Sequence, residues 1–485
     1  MARHSFDEKS NDEIIKPAVI KNDANPWPNN EDDEIASQLS HAESIEEQHD
    51  QPTLNEKSQS TQPGPARSIL SRTVSRRSAA SLDPGPPPDG GVAAWTQCFC
   101  THLTIASTFG YITSFGVFQT YYQTALNVEQ STISWIGSVQ LFLLFFIGTV
   151  SGRATDAGLF RYVYILGSIF QLVGIFCTAQ ATTFWQLFLA QAVCSGIANG
   201  LHFCPAMSLL TTYFARRRAF AVGFAAVGSC TGGIAIPIIV QQLLPRIGFP
   251  WTVRVIGFFM LATNAITITL YRTRLPPRKS GPIIDWPSLK EAPYVLYVLA
   301  MFFVFWGLYF AFFYIGAYGR NVLGCSYQQS INLLLTVVSV GFVFRLVPNY
   351  FADRVGTLNT LIPFAFLCGA MMFAWTGIHS LSGMFVFAAI YGSGSAAIQA
   401  LFPALFGSLS KVPDMKKAGV RMGMAFSCVS FACLTGPPLA GALIQRRDGD
   451  YLYAQVWAGT SFFLGGSLLI ATRFAKVGWD WKAVI

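Results

Sequence analysis

Charged side chains are scarce in this sequence. Asp, Glu, Lys and Arg together make up only 12% of the 485 residues, whereas 52% of the residues are hydrophobic. A typical soluble domain has about a quarter of its residues charged, so this composition excludes an ordinary soluble enzyme and predicts a polytopic membrane protein. The chain also lacks the GxxxxGK(S/T) loop that binds nucleotide phosphates, which excludes a fused ATP motor within it.

The apolar stretches lack the residues of an intramembrane enzyme as well. They contain no clustered carboxylates, no HExxH pair and no nucleophile with its base. Of the ten cysteines, nine fall inside apolar stretches and only Cys325 falls in a loop, so we interpret them as small apolar residues and not as a disulfide framework or metal site. We therefore expect no enzymatic activity, no cofactor and no metal.

Acidic residues are concentrated at the start of the chain. Residues 1–91 hold 16 of the 25 acidic and 9 of the 33 basic residues, which leaves 24 basic against 9 acidic residues in the remainder. That excess is scattered between apolar stretches, so it suits loops facing anionic lipid and argues against nucleic-acid binding. Residues 1–88 predict a disordered cytoplasmic tail. Serines interleave with arginines near its end, which suits a basic membrane anchor or a phosphorylation switch; the arginines are Arg67, Arg72, Arg76 and Arg77.

Hydropathy predicts twelve membrane-spanning helices, each long enough for a hydrocarbon core of about 30 Å. They lie near residues 92–118, 132–151, 162–181, 184–210, 219–243, 251–271, 293–317, 331–351, 358–378, 382–407, 420–444 and 454–474. The excess of Lys and Arg in alternate loops predicts cytoplasmic termini, and we expect a plasma-membrane protein. The predicted fold is all-α, with two pseudo-symmetric six-helix bundles at 89–271 and 293–475, a cytoplasmic linker at 272–292 and a cytoplasmic tail at 476–485.

Two pairs of segments indicate an internal repeat. A glycine and a proline lie nine residues apart in the fourth span and again in the tenth, as Gly196 and Pro205 and as Gly394 and Pro403. Similar short loops follow the second and eighth spans; their residues are Gly152, Asp156, Gly158 and Arg161, and Asp353, Arg354 and Gly356. The carboxylates could cap a helix or pair with the arginines and so latch the cytoplasmic side. Alternatively, the loops are solvated turns whose glycines end a helix.

These loops resemble the signature loop of the major facilitator superfamily. Two further segments resemble the motifs of its monocarboxylate porter family, particularly the fungal branch; they are Pro88-Asp89-Gly90-Gly91 before Trp95, and Tyr213-Phe214 followed by Arg216, Arg217, Arg218, Ala219, Gly223, Gly228 and Gly232. The resemblance covers residues 88–475 and implies a transporter whose spans one, four, seven and ten line the cavity. The chain departs from the animal carriers of that family twice: residues 92–118 contain no lysine, and Gly341 stands where those carriers have an aspartate.

One charge falls well inside a predicted span, Arg345 in the eighth. A buried arginine costs at least about 2.5 to 3.5 kcal/mol on insertion scales, so it should face the bundle interior, a polar partner or a water-filled cavity. No predicted span contains a carboxylate, and the lean of helical side chains points Arg345 away from Asp353. The cargo is therefore expected to supply the counter-charge, which predicts an anionic or strongly polar solute.

Polar or aromatic residues recur at helical spacing in four spans. The stripes are Gln97, Thr101, Thr104, Thr108 and Tyr111; Gln191, Ser195, Asn199 and His202; Phe302, Trp306, Tyr309 and Phe313; and Tyr391, Ser395, Gln399 and Phe402. The predicted substrate site consists of Tyr111, Asn199, His202, Trp306, Tyr309, Arg345 and Gln399. His202 could instead be a hydrogen-bonded structural histidine, and the aromatic residues could be ordinary packing residues.

The sequence therefore predicts a secondary active transporter that works by alternating access. Its partners would be a small organic solute and the lipid bilayer, while the oligomeric state is open. Uptake of a carboxylate and efflux of a fungal metabolite are both compatible with the family that the chain resembles, and a transporter-like nutrient receptor is a third possibility. A coupled proton would need His202 or the substrate itself, because no carboxylate lies within a predicted span.

Overall fold

A computed structural model describes residues 87–214, 217–274, 285–405, 415–480 and 483. Nearly the whole predicted N-terminal tail, with its arginine and serine segment, lies outside the described residues. So do Arg216 of the second motif, the middle of the predicted linker and the loop at 406–414. The described elements are all helical, as predicted.

The N-terminal half, taken as residues 87–274, contains eight α-helices. They are α1 (Gly91–Thr113), α2 (Phe115–Leu126), α3 (Gln130–Ala154), α4 (Phe160–Thr178), α5 (Phe184–Leu187), α6 (Ser195–Tyr213), α7 (Arg218–Ala226) and α8 (Gly228–Leu270). Two π-helical turns, Thr155–Leu159 and Phe188–Cys194, join α3 to α4 and α5 to α6. The fourth predicted span thus consists of α5, a π-helical turn and α6.

The C-terminal half, taken as residues 285–480, begins with a 3₁₀ turn at Trp286–Lys290. The helices described after it are α9 (Ala292–Asn321), α10 (Tyr327–Phe344), α11 (Val347–Val355), α12 (Thr357–Trp375), α13 (Leu381–Leu401), α14 (Met415–Gln445) and α15 (Leu452–Val477). We call the end of the protein that holds residues 271–274 and 285–291 the linker side, and the opposite end the far side.

Ten helical stretches of the described chain are long and apolar enough to cross a membrane. One of them, Phe220–Leu270, contains both the fifth and the sixth predicted spans. It divides into two helices at Gly248, whose φ of 70° is strained for any residue with a side chain. The first predicted span corresponds to α1 and α2; its polar stripe keeps α1 outside the ten. Ten stretches, one of which contains two spans, account for eleven of the predicted spans, and α1 accounts for the twelfth.

The eighth predicted span is interrupted, which corrects the expectation of one continuous helix over 331–351. Helix α10 ends at Phe344, and α11 begins at Val347. Pro348 has no N–H, and its ring clashes with the carbonyl of the preceding turn, so it kinks or breaks a helix. Arg345 therefore lies at a helix C-terminus, where the helix dipole favours a positive charge.

The two halves are in contact along several helix pairs. Helix α3 packs against α14, α2 against α9, and α8 against α10. On the linker side, α7 also contacts α11. Polar residues that face these seams consequently lie between the halves and not toward the outside of the protein.

Candidate functional site

Arg345 lies inside the protein, with only 7% of its surface exposed. Its Nη2 donates a hydrogen bond to Gln399 Oε1 at 3.1 Å. Gln399 is itself oriented, because its Nε2 donates to the Ser395 carbonyl at 3.2 Å. Within the described residues Arg345 has no ion pair, and its buried Nε has no hydrogen-bond partner. The guanidinium thus offers more donors than the protein satisfies.

A narrow cavity lies beside Arg345 at the seam between the halves. About 10 Å³ of it is accessible to water, which is room for about one molecule. Both halves line it, with Thr113, Ser229 and Cys230 on one side and Phe312, Val337, Val338, Gly341, Arg345, Gly392, Ser395 and Ala396 on the other. None of these residues carries a negative charge, and Gly341 stands where the animal carriers described above have an aspartate. The lining is therefore cationic.

Tyr309 belongs to the same region. Its side chain is fully buried, and its hydroxyl has no hydrogen-bond partner in the described part of the chain. It interacts electrostatically with Arg345, and its ring lies 5.8 Å from that of Phe312, which lines the cavity. The structure thus brings together three of the predicted site residues: Arg345, Gln399 and Tyr309.

Trp306 does not join this group. Its Nε1 donates to Thr435 Oγ1 at 3.0 Å, and its ring packs edge-on against Trp457 at 5.1 Å. Thr435 is exposed, and Trp306 itself is half-buried. Trp306 thus lies at the outer seam of α9 with α14 and α15, as an ordinary packing aromatic would.

Tyr111 and Asn199 are buried in the N-terminal half. The Tyr111 hydroxyl and both polar atoms of the Asn199 side chain have no hydrogen-bond partner among the described residues. Sequence reasoning missed two neighbours in α3 with the same property, Ser138 and Gln140. The signal for Gln140 was readable, since it is the one amide in the second predicted span. These groups are available for hydrogen bonds that the protein does not itself supply.

His202 faces α4 within the N-terminal half. Its Nε2 lies 3.1 Å from both the Tyr164 carbonyl and Ser168 Oγ, and the Tyr164 ring packs on it at 4.4 Å. Because a carbonyl can only accept, Nε2 carries the hydrogen. Gly167 is so close that a Cβ there would lie 2.8 Å from the imidazole. This placement favours the structural alternative over a titrating group.

Six phenylalanines close the interface between the halves. They form what we call the phenylalanine plug, made of Phe109, Phe145, Phe203, Phe305, Phe402 and Phe426. Phe145 lies 5.2 Å from Phe426 and 6.2 Å from Phe305 across the interface. Phe402 follows Gln399 by one turn toward the linker side, where Tyr297 donates to its carbonyl. The plug therefore lies on the linker side of Gln399. Of its members, sequence reasoning had singled out only Phe402.

The far side of the interface is closed as well. A Cβ on Gly116 would lie 2.4 Å from the Phe312 carbonyl, so α2 and α9 touch backbone to backbone. Phe115 packs against Phe313 at 4.9 Å. Side chains nearer the surface add a hydrogen bond from Ser131 Oγ to Gln445 Oε1 at 3.2 Å. The region around Arg345 is thus enclosed on both sides.

The predicted cytoplasmic gate is described only in part. Gly158 and Gly356 have φ values of 86° and 101°, which supports the helix-ending role of both glycines. Gly152 lies in the last turn of α3, and Arg161 is exposed. Arg354 lies over the Tyr350 ring at 4.6 Å and donates to its hydroxyl. The side chains of Asp156 and Asp353 lie outside the described set, so the latch stays a prediction.

The two family-like motifs meet on the linker side. The Asp89 N–H donates to the Tyr213 carbonyl at 3.1 Å, and the Trp95 ring packs edge-on against Phe214 at 5.3 Å. The Tyr213 hydroxyl in turn donates to the Arg272 carbonyl at 2.8 Å. These segments, distant in sequence, form one contact that joins the ends of α1, α6 and α8.

A buried ion cluster on the linker side was missed by sequence reasoning. Arg421 Nε lies 3.2 Å from Asp285 Oδ2, while its Nη2 and Nη1 donate to the two oxygens of Glu291 at 2.7 and 3.1 Å. Ser288 donates to Asp285 as well. The cluster fastens the end of the linker to α14. Arg421 is 130 or more residues away from Asp285 and Glu291 in the chain, so no local pattern predicted these ion pairs.

Comparison with known proteins agrees with this architecture. The family model of the Major Facilitator Superfamily matches residues 100–437. An MFS-type transporter of Gibberella zeae is 40% identical over 427 residues, covering 88% of this chain and 96% of the relative. The aspyridones efflux protein of Emericella nidulans is 33% identical over 405 residues, covering 82% of this chain and 81% of the relative. An MFS-type transporter of Ophiocordyceps is 34% identical, covering 82% and 88%.

The matched region runs from α1 into α14 and includes the Arg345 cavity, the phenylalanine plug and both loops of the predicted gate. Together with the apolar helices described above, it establishes a multi-pass membrane transporter of small molecules. The chain belongs to the Major Facilitator Superfamily.

Proposed function

We propose that this protein is a secondary active exporter of an organic metabolite that carries an acidic group. The observation that carries the proposal is Arg345, a buried cation at the seam of the halves with one amide partner and no ion pair among the described residues. Arg345 Nε and an adjacent Nη can bind a carboxylate through two parallel hydrogen bonds, which is the geometry that guanidinium groups favour. An acidic cargo would supply the missing negative charge.

Export, as opposed to uptake, is supported by a relative. The protein from Emericella nidulans that covers most of this chain is named an efflux protein for aspyridones. The motif contact formed by Asp89 and Tyr213 supports a place in the fungal branch of the monocarboxylate porter family. The arginine and lysine distribution supports cytoplasmic termini and a linker side that faces the cytoplasm. Export from the cell would require a location in the plasma membrane.

In the proposed mechanism the halves rock about the Arg345 cavity. Separation of the phenylalanine plug admits the cargo from the linker side, and Arg345, Gln399 and Tyr309 then hold its acidic group. Separation of Gly116 from Phe312 opens the far side and releases it. Because an uncompensated cation in this cavity is costly, binding of an anion stabilises the enclosed state that lies between the two open ones.

The test uses purified protein in proteoliposomes and two ring compounds of nearly the same shape, the anion para-methylbenzoate and the neutral para-methylbenzamide. The wild type is expected to transport the acid and not the amide. Arg345→Gln should reduce transport of the acid by at least about 30-fold, because removing one partner of a buried charge pair costs about 2 kcal/mol or more. The rate at which Arg345→Lys transports the acid should lie between those of the wild type and Arg345→Gln, since lysine keeps the charge but lacks the planar guanidinium that binds a carboxylate through two hydrogen bonds.

Arg447→Gln provides the matched control, because this arginine is exposed and lies only 3.9 Å from an exposed Asp450. It should transport the acid at the wild-type rate. Equal transport of para-methylbenzoate by Arg345→Gln and the wild type, at equal amounts of folded protein, would contradict the proposed site. Loading inside-out vesicles separates export from uptake.

A further inference from the structure

A cluster of neutral polar side chains lies inside the N-terminal half. We define the amide cluster as Tyr111, Gln140, Gln191 and Asn199. All four side chains are buried, with exposures of 0 to 1%. Six of their polar atoms have no hydrogen-bond partner in the described part of the chain, namely Tyr111 Oη, both polar atoms of Gln140, Gln191 Nε2 and both polar atoms of Asn199.

The four residues come from α1, α3, the π-helical turn Phe188–Cys194 and α6, which pack together. Tyr122 donates to Gln191 Oε1 at 2.7 Å, and the Phe118 ring lies 5.6 Å from the Tyr111 ring and 6.2 Å from the Tyr122 ring, which connects the first span to the fourth. Gly196 lies one turn before Asn199, and a Cβ there would be 3.1 Å from the Gln140 Cα. The backbone of α6 therefore touches α3 at Gln140, so the cluster occupies one junction between α1, α3 and α6.

Two other glutamines of the same half show what a structural amide looks like in this protein. Gln97 donates to the Leu270 carbonyl at 3.1 Å and accepts from the Arg272 N–H at 3.1 Å. Gln171 donates to the Ser107 carbonyl at 3.2 Å and accepts from Asn264 Nδ2 at 2.9 Å. Both amides use their donor and their acceptor to fasten neighbouring helices. Gln140 and Asn199 use neither, although burying an unpaired polar group costs free energy.

The backbone is irregular next to the cluster. Gln191 lies in the π-helical turn Phe188–Cys194, and the first span is interrupted at Ser114, between Tyr111 and Tyr122. Ser195 Oγ donates to the Ala190 carbonyl at 3.2 Å and so satisfies an acceptor in that turn. Single π-helical turns within α-helices occur frequently at functional sites. This irregularity and the unpaired amides are independent observations at the same place.

We propose that the amide cluster is a second subsite, which binds an uncharged hydrogen-bonding part of the cargo. Its side chains offer both donors and acceptors and carry no charge, so they suit an amide, hydroxyl or ring-carbonyl group and not a second acid. This inference rests on the proposed function. It adds to it that the cargo has two chemically different ends, an acidic one for Arg345 in the C-terminal half and a neutral polar one for the N-terminal half.

The transport test compares para-carbamoylbenzoate with para-methylbenzoate in proteoliposomes. The wild type should prefer the carbamoyl compound by about 10-fold or more, because two or more hydrogen bonds distinguish them. Asn199→Leu and Gln140→Leu should bring the ratio of the two transport rates to about one, because they remove the groups that distinguish the two compounds. Arg345→Gln should instead lose transport of both compounds. An unchanged preference in the two leucine variants would overturn the subsite while leaving the proposed function standing.

The stability test does not depend on any cargo. Leucine at position 140 or 199 removes an amide that pairs with nothing in the described chain, so the apparent unfolding temperature in detergent should stay equal or rise. Gln171→Leu is the matched control and should lower it, because the Ser107 carbonyl and the Asn264 amide lose their partner. If Asn199→Leu and Gln140→Leu lowered the unfolding temperature as much as Gln171→Leu, the cluster would be structural and the inference wrong.

Discussion

The two halves of the transporter bury different kinds of polar side chain. Among the described residues, both halves bury amides and hydroxyls and the N-terminal half buries one histidine, but only the C-terminal half buries Asp285 and three arginines, Arg345, Arg421 and Arg473. Arg421 has two carboxylate partners, and Arg473 donates to Asn359 and to the Asp480 carbonyl. Arg345 has a single amide. Arg421 and Arg473 thus each have at least two partner residues, whereas Arg345 has one among the described residues. We therefore take Arg345, the buried arginine with the fewest partners, as the functional candidate.

The largest effect that tests this comparison is expected at Arg421. Arg421→Gln should lower the free energy of unfolding by about 3 to 5 kcal/mol, because it leaves the buried Asp285 carboxylate without its cation. Arg345→Gln should not destabilise the protein in this way, since it strands no carboxylate. Thermal denaturation of both variants in detergent, followed by size-exclusion chromatography, measures the difference. Equal stability of the two variants would show that Arg421 is no better compensated than Arg345.

A smaller effect is expected at His202. His202→Gln should lower stability by about 0.5 to 1.5 kcal/mol, because glutamine can still donate to the Tyr164 carbonyl but loses the ring contact. Transport, with and without an imposed pH gradient, should be unchanged, since His202 packs on Tyr164 and is not among the residues that line the Arg345 cavity. His202→Leu serves as the destabilised control. Loss of gradient-driven accumulation in His202→Gln would instead make the histidine a proton carrier.

The smallest effects are expected in α9, where two aromatic variants should behave in opposite ways. Trp306→Phe removes the hydrogen bond to Thr435 and should cost about 0.5 to 1.5 kcal/mol of stability without altering the apparent affinity for para-methylbenzoate. Tyr309→Phe removes an unpartnered hydroxyl, so it should leave stability equal and weaken that affinity. Concentration-dependent uptake and thermal unfolding distinguish the two. If Trp306→Phe instead weakened the affinity and Tyr309→Phe lowered the stability, Trp306 and not Tyr309 would belong to the substrate site.

Much of the fold could be predicted because lipid imposes long apolar segments, and the burial of Arg345 followed from the cost of a charge in hydrocarbon. The interruption before Pro348 could not be read from the sequence, because a proline can lie within a helix without ending it, as Pro205 in α6 and Pro363 in α12 show. The phenylalanine plug could not be predicted. Phenylalanine occurs 41 times in the chain, so its presence in a span does not reveal which rings meet across the seam.

The remaining features could not be predicted, because they depend on contacts between helices that are far apart in the sequence. A stripe on one helix shows that a face is polar but not which helix covers it, which is why His202 could be assigned to a polar face but not to its partner Tyr164. Trp306 and Tyr309 share a stripe, yet one faces an outer seam and the other lies near Arg345. Only the packing of α9 against its neighbours separates them.

The break between α10 and α11 gives the transporter a joint at the residue that would meet the cargo. The carbonyl of Arg345 accepts from Asn349 at 2.8 Å, and a Cβ on Gly223 of α7 would lie 3.5 Å from that same carbonyl. The short segment beyond the break thus touches α7 of the opposite half as well as α12 and α13 of its own. The charge that an anionic cargo would neutralise therefore lies at the residue where the two segments meet and where the opposite half makes contact.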